Sequence, residues 1–531
     1  MSDAGTTRRD LLKGVVATTV SATLAPRVGG AQEPAPARSA SRQNLILFFP
    51  DEMRADALGC YGNPIVRTPN FDRLAREGTR FENCHAQHPV CGASRCSLLT
   101  GWPASVHGHR SLYYFLRPDE PNLFRYLKQA GYDVLWFGKN DALASQTFPD
   151  SVTEWHDSPG TGARPAANSA SSPTTMLLPG GADRRTTPDY LLLAQAIQRL
   201  ERRETDRPFC LFLPLLEPHP PYRAPEGFDT LYAASDIPAL VPPGLPGKPA
   251  FHAAIRQAYG LTAVSDRELR QVRATYYGQV SYSDWLLGEL LEALERTGRA
   301  ADTALFVASD HGDYAGDYGL VEKWPSGLES CLTHVPLVGR LPGGASGNVC
   351  REMVELFDLM PTFLELAGTR ATHTHFARSL APQMHGAPGD PERAAFSEGG
   401  YNVYEPQAFE PRLGGLYAAK TDLQNQHPDT VSRSSCVKTR RHTFIARPGG
   451  VSELYDRITD PRETNNLIGS HAHTSVREAL QVRLMNWYIN TTGVPPTDKD
   501  PRATPPYYPT PEQPSDPGAP ARILDQGADR E

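Results

Sequence analysis

Residues 44–52 read Asn-Leu-Ile-Leu-Phe-Phe-Pro-Asp-Glu. Asn44 to Phe49 form an unbroken apolar run of strand length. That is the pattern of a strand covered on both faces, not the alternation of a half-exposed one. Pro50, Asp51 and Glu52 end it. Three later runs have the same character: Asp133 to Phe137, Cys210 to Leu216 and Ala304 to Ser309. Helical stretches separate them, opening at Thr68-Pro69-Asn70-Phe71-Asp72 and closing at Gly78, then spanning Pro121–Gln129, Asp189–Arg203 and 267–298. Strands alternating with helices predict an α/β fold with a mostly parallel central sheet flanked by helices. Ligand sites in such sheets lie at the carboxyl ends of strands. Those ends carry Asp51-Glu52, then Lys139 after Gly138, His219 in a proline-flanked turn, and Asp310-His311.

The organising stretch for chemistry is 88–101, His-Pro-Val-Cys-Gly-Ala-Ser-Arg-Cys-Ser-Leu-Leu-Thr-Gly. It reads as a short helix with Cys91 at its mouth and Gly101 just past its end. A helix start has unpaired N–H groups and partial positive charge, and favours a thiolate or a bound anion. Arg95, one turn in, adds a fork able to grip an oxyanion. The competing readings are a buried structural cysteine and a disulfide with Cys96. Cys84, His85, His88 and Cys91 crowd together as in a zinc site, but no second Cys-x-x-Cys pair supports one.

Cys91, Ala93, Ser94, Arg95, Leu99, Thr100 and Gly101 make the sequence resemble the type I sulfatase family, of alkaline-phosphatase-like fold. The family signature is Cys-x-Pro/Ala-Ser-Arg followed by Leu-Thr-Gly. The resemblance spans about 44–492 and implies that Cys91 is oxidised to formylglycine, whose hydrate is the nucleophile. It implies one divalent cation, calcium before magnesium or manganese, held by Asp51, Glu52, Cys91 in its oxidised form, Asp310 and His311. Arg95, Lys139 and Lys323 then bind the sulfate, and His219 protonates the leaving alcohol. Two positions depart from the pattern. Glu52 stands where the family has Asp or Gln, and Asp141 where it has histidine, for which His107 or His109 is a candidate substitute.

The chain of 531 residues carries a formal charge of −7. Nothing is basic enough for nucleic acid, so an anionic substrate must meet a local positive site. Eight cysteines show no framework spacing. Thr7-Arg8-Arg9-Asp10-Leu11-Leu12-Lys13 resembles a twin-arginine export motif, and the mildly apolar stretch from Gly14 to Ala25 is too short to span a bilayer. The expected organisation is a signal peptide at 1–31, a flexible leader at 32–43, a catalytic domain at 44–395, a smaller C-terminal α+β subdomain at 396–493 and a proline-rich tail at 494–531. Two insertions, 157–185 and about 227–262, read as surface and pocket-wall segments. The expected partners are a sulfated small molecule or glycan, a formylglycine-generating (sulfatase-maturing) enzyme and the twin-arginine machinery, without a stable membrane anchor. The expected location is periplasmic or secreted. The competing functions are a formylglycine-dependent phosphonate or phosphate diester hydrolase and a non-catalytic sugar-binding relative.

Overall fold

In a computed structural model, residues 42–157, 174–202, 204–495 and 502 are described. The segment expected to be an export leader, nearly all of the following lead, the core of the first insertion and nearly all of the tail lie outside them.

Among the described residues, twelve strands form two sheets. The larger contains β1 (Asn44–Pro50), β2 (Thr79–His85), β3 (Asp133–Phe137), β4 (Glu154–His156), β5 (Phe209–Leu215), β6 (Thr303–Ala308), β7 (Leu337–Arg340) and β8 (Asn348–Glu355). Its spatial order is β4-β3-β5-β1-β6-β7-β2-β8. The four apolar runs are the central parallel strands β3, β5, β1 and β6. Only β7 runs against its neighbours. The smaller sheet is antiparallel, ordered β12-β11-β10-β9, from β9 (Ala395–Gly399), β10 (Ser434–Lys438), β11 (His442–Ala446) and β12 (Glu453–Asp456).

The run at 44–49 is apolar throughout because its two side-chain rows serve different cores. Ile46 and Phe48 enter one cluster, while Leu45, Leu47 and Phe49 enter another on the opposite face. β6 divides in the same way, Leu305 and Val307 against Ala304, Phe306 and Ala308. A period of two, apolar in both phases, is what a sheet between two helical layers requires.

The 31-residue helix Asp266–Arg296 covers one face. It starts at a capping box, with Ser265 N–H donating to Glu268 Oε2 at 2.8 Å and Glu268 N–H donating to Ser265 Oγ at 3.3 Å. Its leucines 286, 287, 290, 291 and 294 lie in the first core. The helix foreseen from Pro121 begins at Leu123, because Asn122 caps it by accepting from Arg125 N–H at 2.9 Å.

β2, β7 and β8 are not legible in the sequence. Polar Arg80, Glu82 and Asn83 interrupt β2, and β7 has four residues. The insertions are more tightly built than their composition suggests. Met176 is buried and accepts from Tyr222 N–H, and the second insertion contains the helix Phe251–Ala258, whose His252 bonds Glu329 at 2.7 Å. All eight cysteines are free, which removes the Cys91–Cys96 disulfide. Among the described residues, no helix is long and apolar enough to cross a membrane.

Candidate active site

The carboxyl ends of β1, β3, β5 and β6 converge with the start of the helix Cys91–Thr100. Val90 precedes that helix in extended conformation, and Gly101 closes it in the left-handed region at φ 69°, donating to Ser97 O at 2.8 Å. Every residue of the helix is buried. Cys91 is 1 % exposed, inside the fold and not at an open mouth. Burial first, and Asp51 second, push its thiol well above the ordinary range. The side chain is therefore held protonated, against the expectation of a helix-start thiolate.

Asp51 Oδ1 lies 3.5 Å from Cys91 Sγ, and His311 Nε2 lies 3.2 Å from it. Asp51, Cys91, Asp310 and His311 each offer a ligand atom, all within 4.8 Å of one another and all buried. His311 Nδ1 faces the Gly312 carbonyl at 2.9 Å. A carbonyl only accepts, so Nδ1 carries the proton and the Nε2 lone pair points at the cluster. Two carboxylates and one neutral imidazole fit a divalent cation with mainly oxygen donors. Asp310 is oriented by Arg95 Nε at 2.9 Å on one oxygen and by the backbone N–H groups of Glu52 and His311, each at 3.0 Å, on the other.

Glu52 adjoins this group without facing all of it. Its ligand atom groups with those of Asp51 and His219. Oε2 accepts from Lys323 Nζ at 2.8 Å, while the buried Oε1 has no hydrogen-bond partner. The residue holds φ 66°, a left-handed turn that a non-glycine residue rarely adopts. Tyr276, on the long helix, braces this turn: its hydroxyl accepts from Arg54 N–H and donates to Glu52 O, both at 2.9 Å.

Lys139 follows Gly138, whose φ of 144° and approach to the Pro214 carbonyl leave no room for a Cβ. Its ammonium donates to Asp51 Oδ2 at 2.6 Å, meets Asp141 Oδ2 at 2.8 Å and lies 3.7 Å from Cys91 Sγ. Burial opposes the charge on Lys139, but Asp141 and Asp51 outweigh it and raise its pKa. Burial likewise opposes ionisation of Asp51, and Lys139 and Arg95 reverse this, holding the carboxyl well below the usual range. Arg95 NH2 comes within 3.2 Å of Asp51 without hydrogen-bond alignment, so both terminal nitrogens of this buried guanidinium are unpartnered. An oxyanion would satisfy them.

His219 stands on the loop after β5, 2.8 Å from Lys323 Nζ through Nε2 and 3.4 Å from Glu52 Oε2. Its Nδ1 faces the Pro220 carbonyl and so carries a proton. Buried Asp189 shapes this loop by accepting from Leu216 and Glu217 N–H. All nine residues singled out by sequence thus lie in one buried cluster. Sequence reading missed Tyr276 and Asp189, which sit mid-helix and at a helix start with no local signal of their contacts. His107 and His109 do not stand in for the missing histidine: both ring systems bond Glu120 Oε1, at 2.9 and 3.0 Å.

Arg95, Lys139 and Lys323 face the carboxylates of Asp51, Glu52, Asp141 and Asp310, and Lys323 also lies 3.6 Å from Glu322, which pairs with Lys420 at 2.7 Å. Burial raises the Glu52 carboxyl well above the usual range, so the side chains alone carry no net positive charge, and a divalent cation turns the site positive. An anionic ester and a cation are thus each more stable there when both are present.

Residues 43–369 match the sulfatase family model. The chain is 29% identical over 404 residues to human (Homo sapiens) iduronate 2-sulfatase, covering 64% of this chain and 71% of that protein. It is 23% identical over 523 residues to an N-acetylglucosamine-6-O-sulfatase of Bacteroides thetaiotaomicron, covering 83% and 85%. In fold it is similar to the crystal structure of the phosphonate monoester hydrolase of Agrobacterium radiobacter, with a TM-score of 0.67 at 23% identity over 85% of this chain and 96% of that one. The chain belongs to the sulfatase family.

Proposed function

We propose that the protein hydrolyses sulfuric esters, with Cys91 converted to formylglycine and a divalent cation beside it. The observation that carries this reading is the convergence of Cys91 with Asp51, Asp310 and His311, flanked by the unpartnered nitrogens of Arg95. Hydrated formylglycine supplies two hydroxyls on one carbon, one to attack sulfur and one whose oxygen expels sulfate afterwards; a serine lacks that second step. A divalent cation supplies neutralisation of the ester oxygens. Asp51, Asp310 and His311 would hold it, with Glu52 Oε1 as a further donor, and the oxygen-rich set favours calcium over magnesium or manganese. Arg95, Lys139 and Lys323 bind the non-reacting oxygens. His219 accepts from Lys323 at Nε2, so the two deliver the leaving-group proton as a pair.

The sulfatases of iduronate and N-acetylglucosamine among the relatives support a sulfated sugar as substrate. Asp141 sustains a second reading. Its carboxylate on Lys139 disfavours doubly charged phosphate monoesters yet tolerates singly charged sulfate or phosphonate monoesters alike. Export by the twin-arginine route rests on Arg8 and Arg9. Replacing both by lysine should retain the protein in the cytoplasm, and unchanged fractionation would remove that part of the reading.

The test is mass spectrometry of the peptide holding residue 91 after co-expression with a maturing enzyme, beside turnover of an aryl sulfate and a phosphonate monoester. Aldehyde with faster sulfate release is expected. A persistent thiol with no turnover would refute the reading, and faster phosphonate cleavage would put the second one first.

A further inference from the structure

A cluster of arginines lies outside the active site. A crevice of about 550 Å³ lies where the larger sheet meets the β10–β11 and β12 turns of the smaller, lined by six arginines and four carboxylates. Three of the carboxylates are already held, two of them by the lining arginines Arg54 and Arg462. Asp56 and Asp317 pair with Arg54 at 2.6 and 2.8 Å, and Asp317 also with Arg273 at 2.8 Å. Glu463 accepts from Ser330 N–H and Oγ and from Thr443 Oγ1 at 2.8–2.9 Å.

That leaves Glu82 as the one lining carboxylate for Arg80, Arg351, Arg440 and Arg457. It meets Arg80 at 3.9 Å and Arg351 at 3.7 Å, both longer than a hydrogen bond. Arg440 reaches only Glu352, at 3.8 Å. Arg457 donates to the Thr439 carbonyl at 2.7 Å and to Asn83 Oδ1 at 3.1 Å, and pairs with no carboxylate among the described residues. Burial lowers its pKa, and the nearby Glu463 carboxylate offsets that cost only in part. The fold sets this grouping. The parallel pairing of β2 with β8 shifts register between Phe81 and Asn83, bringing Arg80 and Arg351 to one edge. Excess guanidinium forks on a chain of net charge −7 make a local site for tetrahedral oxyanions.

We infer that this crevice is a second oxyanion site, taking a sulfate group either free or carried on a sulfated oligosaccharide held at the same time as the reacting ester. The oligosaccharide form rests on the sulfatase reading; the free ion does not. The test is calorimetric titration of the full chain and of Arg351→Gln/Arg440→Gln with inorganic sulfate and with a sulfated glycosaminoglycan octasaccharide, alongside aryl sulfate turnover. Both residues are exposed, and neither contacts the active site. The expected result is loss of one sulfate-binding event and about ten-fold weaker octasaccharide binding, with aryl sulfate turnover unchanged. Loss of the sulfate event with undiminished octasaccharide affinity would support the free ion as ligand. Wild-type binding of both probes by the double variant would overturn the site. An absence of turnover in every protein would count against the sulfatase reading while leaving the binding result intact.

Discussion

Cys91 occupies the first turn of a helix, a position that ordinarily acidifies a thiol, yet burial and Asp51 outweigh the nearby Lys139 and Lys323 and raise its pKa. A side chain kept as a thiol among carboxylates is a poor nucleophile in its own right, which fits a residue that acts only after oxidation. Cys91→Ala should lower aryl sulfate turnover by roughly 10³-fold or more with little change in melting temperature; retained turnover would show that the residue is not the nucleophile. Chelation should raise KM for an anionic ester more than it changes the far-ultraviolet circular dichroism, because the side chains alone leave the site without net positive charge. A chelator-insensitive KM would contradict the charge balance. Glu120 provides a pH signature. Burial opposes its charge, but bonds from His109 and His107 bring its pKa down to about 2 from 4.5. Its contribution is complete above about pH 4.5 and is lost as pH falls toward 2. Glu120→Gln should therefore destabilise at neutral pH, with a difference that shrinks across that window in melts recorded against pH.

At the scale of elements, the long helix Asp266–Arg296 does more than cover the sheet. Tyr276 projects from it to hold both sides of the Asp51–Arg54 turn. Tyr276→Phe leaves a buried N–H and a buried carbonyl unpartnered, at a cost of about 1–3 kcal/mol in urea unfolding, and should weaken metal affinity because the turn carries Asp51 and Glu52. Loss of stability with unaltered metal affinity would confine Tyr276 to packing. The central strands and this helix were readable because each has a long periodic signal: two apolar phases in the strands, a capping box and a leucine face in the helix. β2 and β7 were not. Their residues are polar or few, and they pair with each other across more than 250 positions, as with Thr79 opposite Gly339.

The whole molecule is joined across its two sheets by buried charge. Arg393, just before β9, meets Glu355 at 3.0 Å and Asp358 at 2.7 Å at the end of β8. Arg393→Met should cost about 3–5 kcal/mol by leaving those carboxylates buried and unpaired, measured by chemical unfolding; a shift below 1 kcal/mol would mean that the carboxylates are neutral in the folded state. By itself the sequence determined the layered α/β class and, by family resemblance, singled out nine residues that the fold gathers, because apolar periodicity and contiguous motifs are local properties. The tertiary structure alone decided which groups face one another. It turned Glu52 to Lys323 and His219, sent His107 and His109 to Glu120, buried Cys91 against Asp51, and gathered arginines from β2, β8 and the β10–β12 turns into one crevice. Such meetings depend on long-range packing, in which distances of a few ångströms separate residues hundreds of positions apart, and no local pattern encodes them.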